Sequence, residues 1–382
     1  MTKKDLGQYF TTDETLQRYI FDHVKYKGSL LLEPSVGKGH LLHPFLEYTP
    51  NYPMVCYEID KRLTPVVSFN PNQTLLYADF LNSTIFTKFK TILGNPPYVK
   101  HKTGNLYLKF IDKCVDLLDD HGELLFIVPS DFIKITHAST VLQKMSTLGG
   151  FTHFWFPHQE DMFEDATIDV MVFRYEKDLF ATKVHVNDTI VPYHIYQGIL
   201  SFAPPSKLHV HDMFDVYVGM VTGLDEVFRS EMGNISLLMD KNKTEKFIYL
   251  TEFPSSNDSI NAHLLKHKKQ LMKRQIKTFD EKNWFTWGAP RNVYAIQEHE
   301  GKPCIYMHFL SRKKEIAFLG KVNYFTGTLL CMIPKVNVDL KKAVAYINSD
   351  AFQQNYRYSG RFKIGQRQLV NAGLYEFIKE KT

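Results

Sequence analysis

The tetrapeptide Asn95-Pro96-Pro97-Tyr98 combines the residue types needed to hold a neutral amino group. Its two prolines fix the loop backbone and remove two N–H donors, which leaves carbonyl oxygens free to face a donor on a substrate. The Asn95 side chain adds a second acceptor. Asn95 Oδ1 and the Pro96 carbonyl can therefore accept together from an exocyclic NH2, while Tyr98 stacks on the ring that carries it. The same residues also suit a plain strand-to-loop turn, because Asn-Pro and Pro-Pro punctuate chains generally.

Three earlier segments have types and spacing suited to a nucleoside. Glu33-Pro34-Ser35-Val36-Gly37-Lys38-Gly39 is a glycine-containing turn that ends an apolar run and opens a helical one, where glycines let backbone approach a ligand closely. By itself it fits a tight connection equally well. Glu58-Ile59-Asp60 ends the next apolar run, at about the 20-residue spacing where an acid accepts ribose hydroxyls. Asp79-Phe80 ends the third, placing an acceptor for an adenine amino group beside a ring that can pack on the purine face. Taken in order, the three point to adenosine binding.

The elements that must position these groups alternate. Leu30 to Glu33, Val55 to Ile59, Leu75 to Tyr77, Ile92 to Gly94, Leu124 to Val128, Phe154 to Phe156 and Val170 to Phe173 read as strands. Helical spacing appears in Leu16 to Val24, Leu41 to Leu46, Leu106 to Leu118 and Ala138 to Leu148. The expected fold is α/β, a doubly wound, mostly parallel seven-stranded sheet with ligands beyond the carboxyl ends of its strands. The last two strands, joined by a loop, are expected to pair as an antiparallel hairpin at the sheet edge.

In this order the motifs resemble those of the gamma-class amino (N6-adenine) DNA methyltransferases of restriction-modification systems, over roughly residues 5–178. The resemblance implies an S-adenosylmethionine-dependent methyltransferase fold with a C-terminal α+β target-recognition domain. It places Gly7 to Thr12 over the methionine end of the cofactor, with Thr11 at its carboxylate, although Thr12 stands where the family has proline. It further assigns Glu33, Pro34, Gly37 and Gly39 to the methionine and ribose loop, Glu58 to the ribose, Ile59 to the cofactor, Asp79 and Phe80 to the adenine, and Asn95 to both cofactor and target. Leu125 to Pro129 resembles the strand walling the target pocket, and Met162 to Asp165 the loop supplying an aromatic, Phe163, to the flipped base. Asn105-Leu106-Tyr107 resembles a further cofactor-facing motif.

The implied chemistry is direct in-line transfer of a methyl group to adenine N6 without a covalent enzyme intermediate. No cysteine sits in the catalytic loop, as attack on a cytosine ring would require. The amino nitrogen is a poor nucleophile, and two preorganised acceptors favour it as charge develops. In duplex DNA the adenine must rotate out of the stack, offset in part by Tyr98 and Phe163.

Composition sets the outer bounds. The chain has 382 residues, 44% apolar and 23% charged, enough to bury full cores and incompatible with a disordered or fibrous protein. No apolar run reaches membrane-span length and no apolar stretch follows the N-terminal lysines, so a soluble, cytoplasmic, DNA-associated protein is expected. Cys56, Cys114, Cys304 and Cys331 are widely spaced, suggest neither disulfides nor a metal site, and read as reduced. Residues 1–182 carry 18 Lys+Arg against 22 Asp+Glu, whereas residues 183–382 carry 28 against 19. The boundary is therefore expected at 182/183, with a catalytic domain before it and a basic DNA target-recognition domain after it. Uneven scatter of surface lysines is the alternative.

Within the basic half, Lys266 to Lys277 holds six cations in twelve positions and suits a phosphate-contacting helix or a solvated face, with Lys268, Lys269 and Lys273 as contact candidates. Arg291, beside Trp284 to Gly288, is another candidate, as are Arg361 and Lys363 among small residues near the end. Val221 to Phe228 resembles a segment near the start of the family's recognition domains, and Ala203-Pro204-Pro205-Ser206 reads as a linker. The expected partners are double-stranded DNA and a companion restriction endonuclease, with no membrane. Protein glutamine N5-methyltransferases share Asn-Pro-Pro-Tyr and remain an alternative, as do rRNA adenine N6-methyltransferases and a catalytically silent nucleic-acid-binding module.

Overall fold

The computed structural model describes residues 11–101, 104–157, 170–358 and 361–374, in two compact units, Met1–Pro205 and Ser206–Thr382. The first unit is built on one sheet of nine strands: β1 (Leu31–Glu33), β2 (Met54–Glu58), β3 (Gln73–Tyr77), β4 (Phe89–Gly94), β5 (Leu118–Pro129), β6 (Gly149–Trp155), β7 (Val170–Lys177), β8 (Lys183–Val186) and β9 (Thr189–Pro192). Their spatial order is β9-β8-β6-β7-β5-β4-β1-β2-β3. β3, β2, β1, β4 and β5 pair in parallel. β7 runs antiparallel to both β5 and β6. The carboxyl ends of β1, β2, β3, β4 and β5 consequently share one edge.

The seven expected strands all form, with two corrections at the far side. The sheet has nine strands rather than seven, because β8 pairs in parallel with β6 and β9 closes against β8. The β6–β7 pair is antiparallel as expected but does not form the edge. The boundary at 182/183 is displaced for the same reason, since residues 183–192 complete the first sheet and the Tyr193 hydroxyl accepts from Phe151 N at 2.9 Å. The units divide instead at the Ala203 to Ser206 linker.

Local signals explain the helices near the site. Asp13 caps α1 (Glu14–His23) by accepting from Leu16 N at 2.8 Å. The Leu16, Ile20 and Phe21 stripe of α1 packs with Leu31, Phe45, Met54 and Leu125, in the core beneath the strand ends. α2 (His43–Tyr48) follows the glycine turn, and α3 (Leu106–Leu117) buries Tyr107, Phe110, Ile111 and Cys114. α4 (Ser139–Leu148) precedes β6. A buried charge network ties the sheet together. Glu123, fully buried, accepts from Lys25 N, Tyr26 N and Thr91 Oγ1, and from Arg174 Nε at 2.8 Å. Removing one partner of such a pair costs about 3–5 kcal/mol, because the other charge stays buried.

The second unit is α+β. Its antiparallel sheet has the order Phe214–Val218, Leu329–Pro334, Pro303–His308, Ala317–Lys321. One core includes helix Leu340–Ile347. A second surrounds Trp287 and takes Ile260, Leu264 and Leu271 from α5 (Asp258–Met272). With the boundary at 205/206 this unit holds 27 Lys+Arg and 18 Asp+Glu, so the basic balance survives the correction. All four cysteines are buried and free of disulfides. No helix among the described residues is long and apolar enough to cross a membrane.

Candidate active site

β1 ends at Glu33, whose side chain is almost wholly buried and accepts from Ser35 N at 3.0 Å. Burial, with Glu58 nearby as a second cause, pushes its carboxyl up to about 8. Room for that carboxylate comes from Gly94 at the end of β4, where a Cβ would lie 2.9 Å from Glu33 Oε1 and 3.4 Å from the buried Pro34 ring. The following turn needs glycine for a different reason. Gly39 has φ of 80°, in the left-handed region, and an added Cβ would meet Val67 Cγ2 at 2.7 Å.

Glu58, at the end of β2, accepts from Gly37 N and from Asp60 N, each at 2.8 Å. It therefore shapes the glycine turn as well as facing the ligand edge, and a carboxylate has lone pairs to spare for two ribose hydroxyls. Burial raises its pKa, against the lowering effect of these backbone donors. Ile59 is 53% exposed, an apolar side chain held at the strand ends without a core partner. Asp79 accepts from Leu81 N at 2.9 Å and Asn82 Nδ2 at 2.7 Å. Phe80 is buried, stacked on Phe110 and in an edge-to-face contact with Tyr57, so it presents no open face.

The Asn95 to Tyr98 loop is tied to both neighbours. Asn95 Nδ2 donates to Thr11 Oγ1 at 3.1 Å, and the Tyr98 hydroxyl lies 2.6 Å from Asn95 Oδ1 and 3.1 Å from the Ile127 carbonyl of β5. Thr11 is buried and its carbonyl accepts from Gln17 Nε2. Pro96 is buried, and the Tyr98 ring meets Tyr107 edge-on at 6.1 Å. The sheet thus brings Thr11, Glu33, Pro34, Gly37, Gly39, Glu58, Ile59, Asp79, Phe80, Asn95, Pro96 and Tyr98 to one edge. Phe163 and the Gly7 to Phe10 segment lie outside the described residues.

Two contributors escaped the sequence reading. Gly94 sits at a strand end where any side chain would collide with Glu33 Oε1. Lys113 of α3 donates through Nζ to the carbonyls of Phe80, Leu81 and Ser83, with its ammonium 4.7 Å from the centre of the Phe80 ring. Its signal was a lysine on the helix face that carries Phe110 and Cys114.

The basic candidates of the second unit are dispersed. Lys268 pairs with Glu281 and lies over the Trp284 ring, Lys269 and Lys273 are exposed on and after α5, Arg291 is exposed in a loop, and Arg361 and Lys363 are exposed on a short strand. Arg274, counted in the basic run, is buried. No cluster of metal-ligating side chains occurs among the described residues.

A parallel sheet continued by an antiparallel β7, with a glycine turn after β1 and acids ending β2 and β3, defines the S-adenosylmethionine-dependent methyltransferase fold. Residues 68–149, which span β3 through the start of β6, match the family described as Eco57I restriction-modification methylase. The chain is 23% identical to the type II methyltransferase M.HindII of Haemophilus influenzae, across 94% of this chain and 86% of that protein. It is 30% identical to the modification methylase CviBIII of a Paramecium bursaria Chlorella virus over 148 residues, 39% of that protein. Over 100 residues it is 34% identical to ribosomal RNA small subunit methyltransferase A of Mesomycoplasma hyopneumoniae, 38% of that protein. The chain therefore spans most of the first of these and well under half of the other two.

Proposed function

We propose that this methylase transfers a methyl group to N6 of an adenine rotated out of duplex DNA, within a restriction-modification system in the cytoplasm. The observation that carries the reading is the junction of Asn95, Thr11 and Tyr98 at the same sheet edge as Glu33, Glu58 and Asp79. The residues fit the cofactor. Glu58 offers acceptors to ribose hydroxyls, exposed Ile59 and the Asp79-Phe80 turn suit the adenine, and Glu33 with the glycine turn suits the methionine end. S-adenosylmethionine, when bound, supplies an electrophilic methyl group.

The chain's own residues prepare the nucleophile. Asn95 Oδ1 and the Pro96 carbonyl accept from the two N6 hydrogens, which favours the nitrogen geometry of the transition state over that of the ground state. With the cofactor bound, Asn95 and Pro96 would hold N6 toward the methyl group that it supplies, and Asn95 Oδ1, accepting from an N6 hydrogen, would face the proton that N6 then releases to solvent. Orientation of N6 toward the methyl carbon contributes through proximity. Tyr98, and Phe163 by resemblance, supply stacking that offsets the cost of unpairing, a few kcal/mol. Lys268, Lys269, Lys273, Arg291, Arg361 and Lys363 are the initial candidates for DNA contact, and a companion endonuclease recognising the same site is the natural second partner.

The similarity to a ribosomal RNA methyltransferase over 100 residues favours RNA adenine as the second reading. Incubation with methyl-labelled cofactor and separate duplex DNA, ribosomal RNA and protein substrates tests the two. The expected result is label in duplex DNA, recovered as N6-methyladenine after digestion. Label confined to RNA, or to protein glutamine, overturns the proposal.

A further inference from the structure

Three stretches far apart in sequence meet at one place in the second unit. Val221 and Ala289 exchange backbone hydrogen bonds at 3.0 and 2.9 Å, and Gly288 N donates to Thr222 O at 2.9 Å. Arg274, 8% exposed, braces the junction. Its guanidinium donates to the carbonyls of Leu271, Thr222, Trp284 and Thr286 at 2.6–3.0 Å and lies 3.8 Å from the centre of the Phe279 ring. All four acceptors are neutral, and no carboxylate pairs with Arg274 among the described residues. A full positive charge therefore remains just beneath the surface, where the low dielectric extends its reach.

The surface above this brace is open and mixed in character. Ile276 is 41% exposed and fits against Gly223 and Gly288, at which an added Cβ would lie 3.2 and 2.3 Å from its Cγ2. Lys277 donates to Thr286 Oγ1 at 3.1 Å and is otherwise exposed, with its pKa lowered by burial and by the Arg274 charge. Arg291 projects from the loop after Ala289 and is exposed. Two nearby acids are already engaged, since Asp225 accepts from the Thr222 hydroxyl and Glu281 pairs with Lys268; Glu226 and Asp280 are exposed beside the patch.

Resting on the reading of duplex DNA as substrate, we propose that this junction is where the second unit grips the duplex, with Lys277 and Arg291 on phosphate oxygens and Ile276 against the sugar edge. Lys268 on α5 contributes less, because Glu281 already holds it. A phosphate surface needs no base readout, so it acts on any duplex sequence.

The test measures binding of the full chain to a mixed-sequence duplex at several salt concentrations. Lys277→Ala with Arg291→Ala is compared with Lys341→Ala with Lys342→Ala, an equally exposed charge pair on the helix Leu340–Ile347. The junction variant should lose about tenfold in affinity or more, and its log–log salt slope should flatten by about 1.8, which is 0.9 for each of two contacts. Cofactor affinity and melting temperature should not change, and the control should bind like the wild type. An unchanged slope in the junction variant, or an equal loss in the control, overturns the assignment while leaving the DNA reading intact. Salt-independent or absent duplex binding by the wild type, or the junction effect appearing only on double-stranded RNA, instead overturns the DNA reading and the grip together.

Discussion

The Tyr98 hydroxyl reaches Asn95 Oδ1 at 2.6 Å and the Ile127 carbonyl at 3.1 Å, so the phenol holds the acceptor that the target amine is proposed to use. One hydroxyl proton serves two acceptors. When an N6 hydrogen takes up position at Oδ1, the phenol still has Ile127 O available, so the exchange leaves no buried donor unpaired, a state that would cost about 1–3 kcal/mol. Tyr98 consequently combines a stacking role with an anchoring one.

These two roles separate in variants. Tyr98→Phe keeps the ring and loses the anchor, and its kcat on duplex DNA should fall about tenfold with cofactor affinity within about twofold of wild type. Tyr98→Ala should in addition weaken retention of the flipped base, read as a smaller rise in 2-aminopurine fluorescence at the target position. Asn95→Ala should abolish methylation. A Tyr98→Phe enzyme with normal turnover would show that the hydroxyl has no part in placing Asn95.

Glu33 gives the free protein a pH dependence of known sign. Its carboxyl is raised from the ordinary 4.5 to about 8 by burial, so between these values the folded state binds a proton that the unfolded chain has lost. Stability of the cofactor-free protein should therefore decline as pH rises through that window. Cofactor carries positive charge and favours the ionised carboxylate, so its affinity should rise over the same interval with release of a proton. Glu33→Gln should flatten both profiles. Thermal melts and calorimetric titrations in buffers of different ionisation enthalpy measure them, and parallel profiles for wild type and variant would exclude Glu33 as the source.

Glu58→Ala and Asp79→Ala should differ in kind. Both remove an acceptor proposed to face the cofactor, at roughly 1–3 kcal/mol each in binding. Glu58 also holds Gly37 N and Asp60 N, and its loss frees the glycine turn. Glu58→Ala should lower the melting temperature of the cofactor-free protein, whereas Asp79, half-exposed in its own turn, should leave it nearly unchanged. Unaltered cofactor affinity in both folded variants would mean that the pocket is elsewhere.

The strand ends were legible because each apolar run stops at a residue type that cannot continue it, and the motif order then places those ends along one edge. What stayed hidden depends on packing across the fold. Nothing local distinguishes Arg274 from Lys273, yet one lies under a ring and four carbonyls and the other in solvent. Phe80 offered a ring for a purine, and only the presence of Phe110 and Tyr57 shows it buried. β8 and β9 escaped because they are short, with exposed residues in Lys183–Val186 and Thr189–Pro192 that interrupt the apolar pattern.

Those two short strands give the sharpest test of the domain boundary. Cutting at 182 would remove β8 from β6 and leave an unpaired inner strand at the sheet edge, a template for association with another chain. It would also take away Tyr193, whose hydroxyl accepts the buried Phe151 N–H, and the strand Ile199–Ser201, whose middle residue Leu200 donates through its backbone N–H to the Ile133 carbonyl. A fragment ending at Pro205 keeps all of these and stops in the proline linker. Fragments 1–182 and 1–205 should therefore behave differently in size-exclusion chromatography and thermal melting. The longer one should be monodisperse, melt cooperatively and bind cofactor, and should lose salt-dependent duplex binding if the second unit supplies the phosphate contacts. The shorter one should aggregate or melt at a clearly lower temperature. Equal stability of the two fragments would place residues 183–205 outside the catalytic fold and restore the boundary drawn from charge alone.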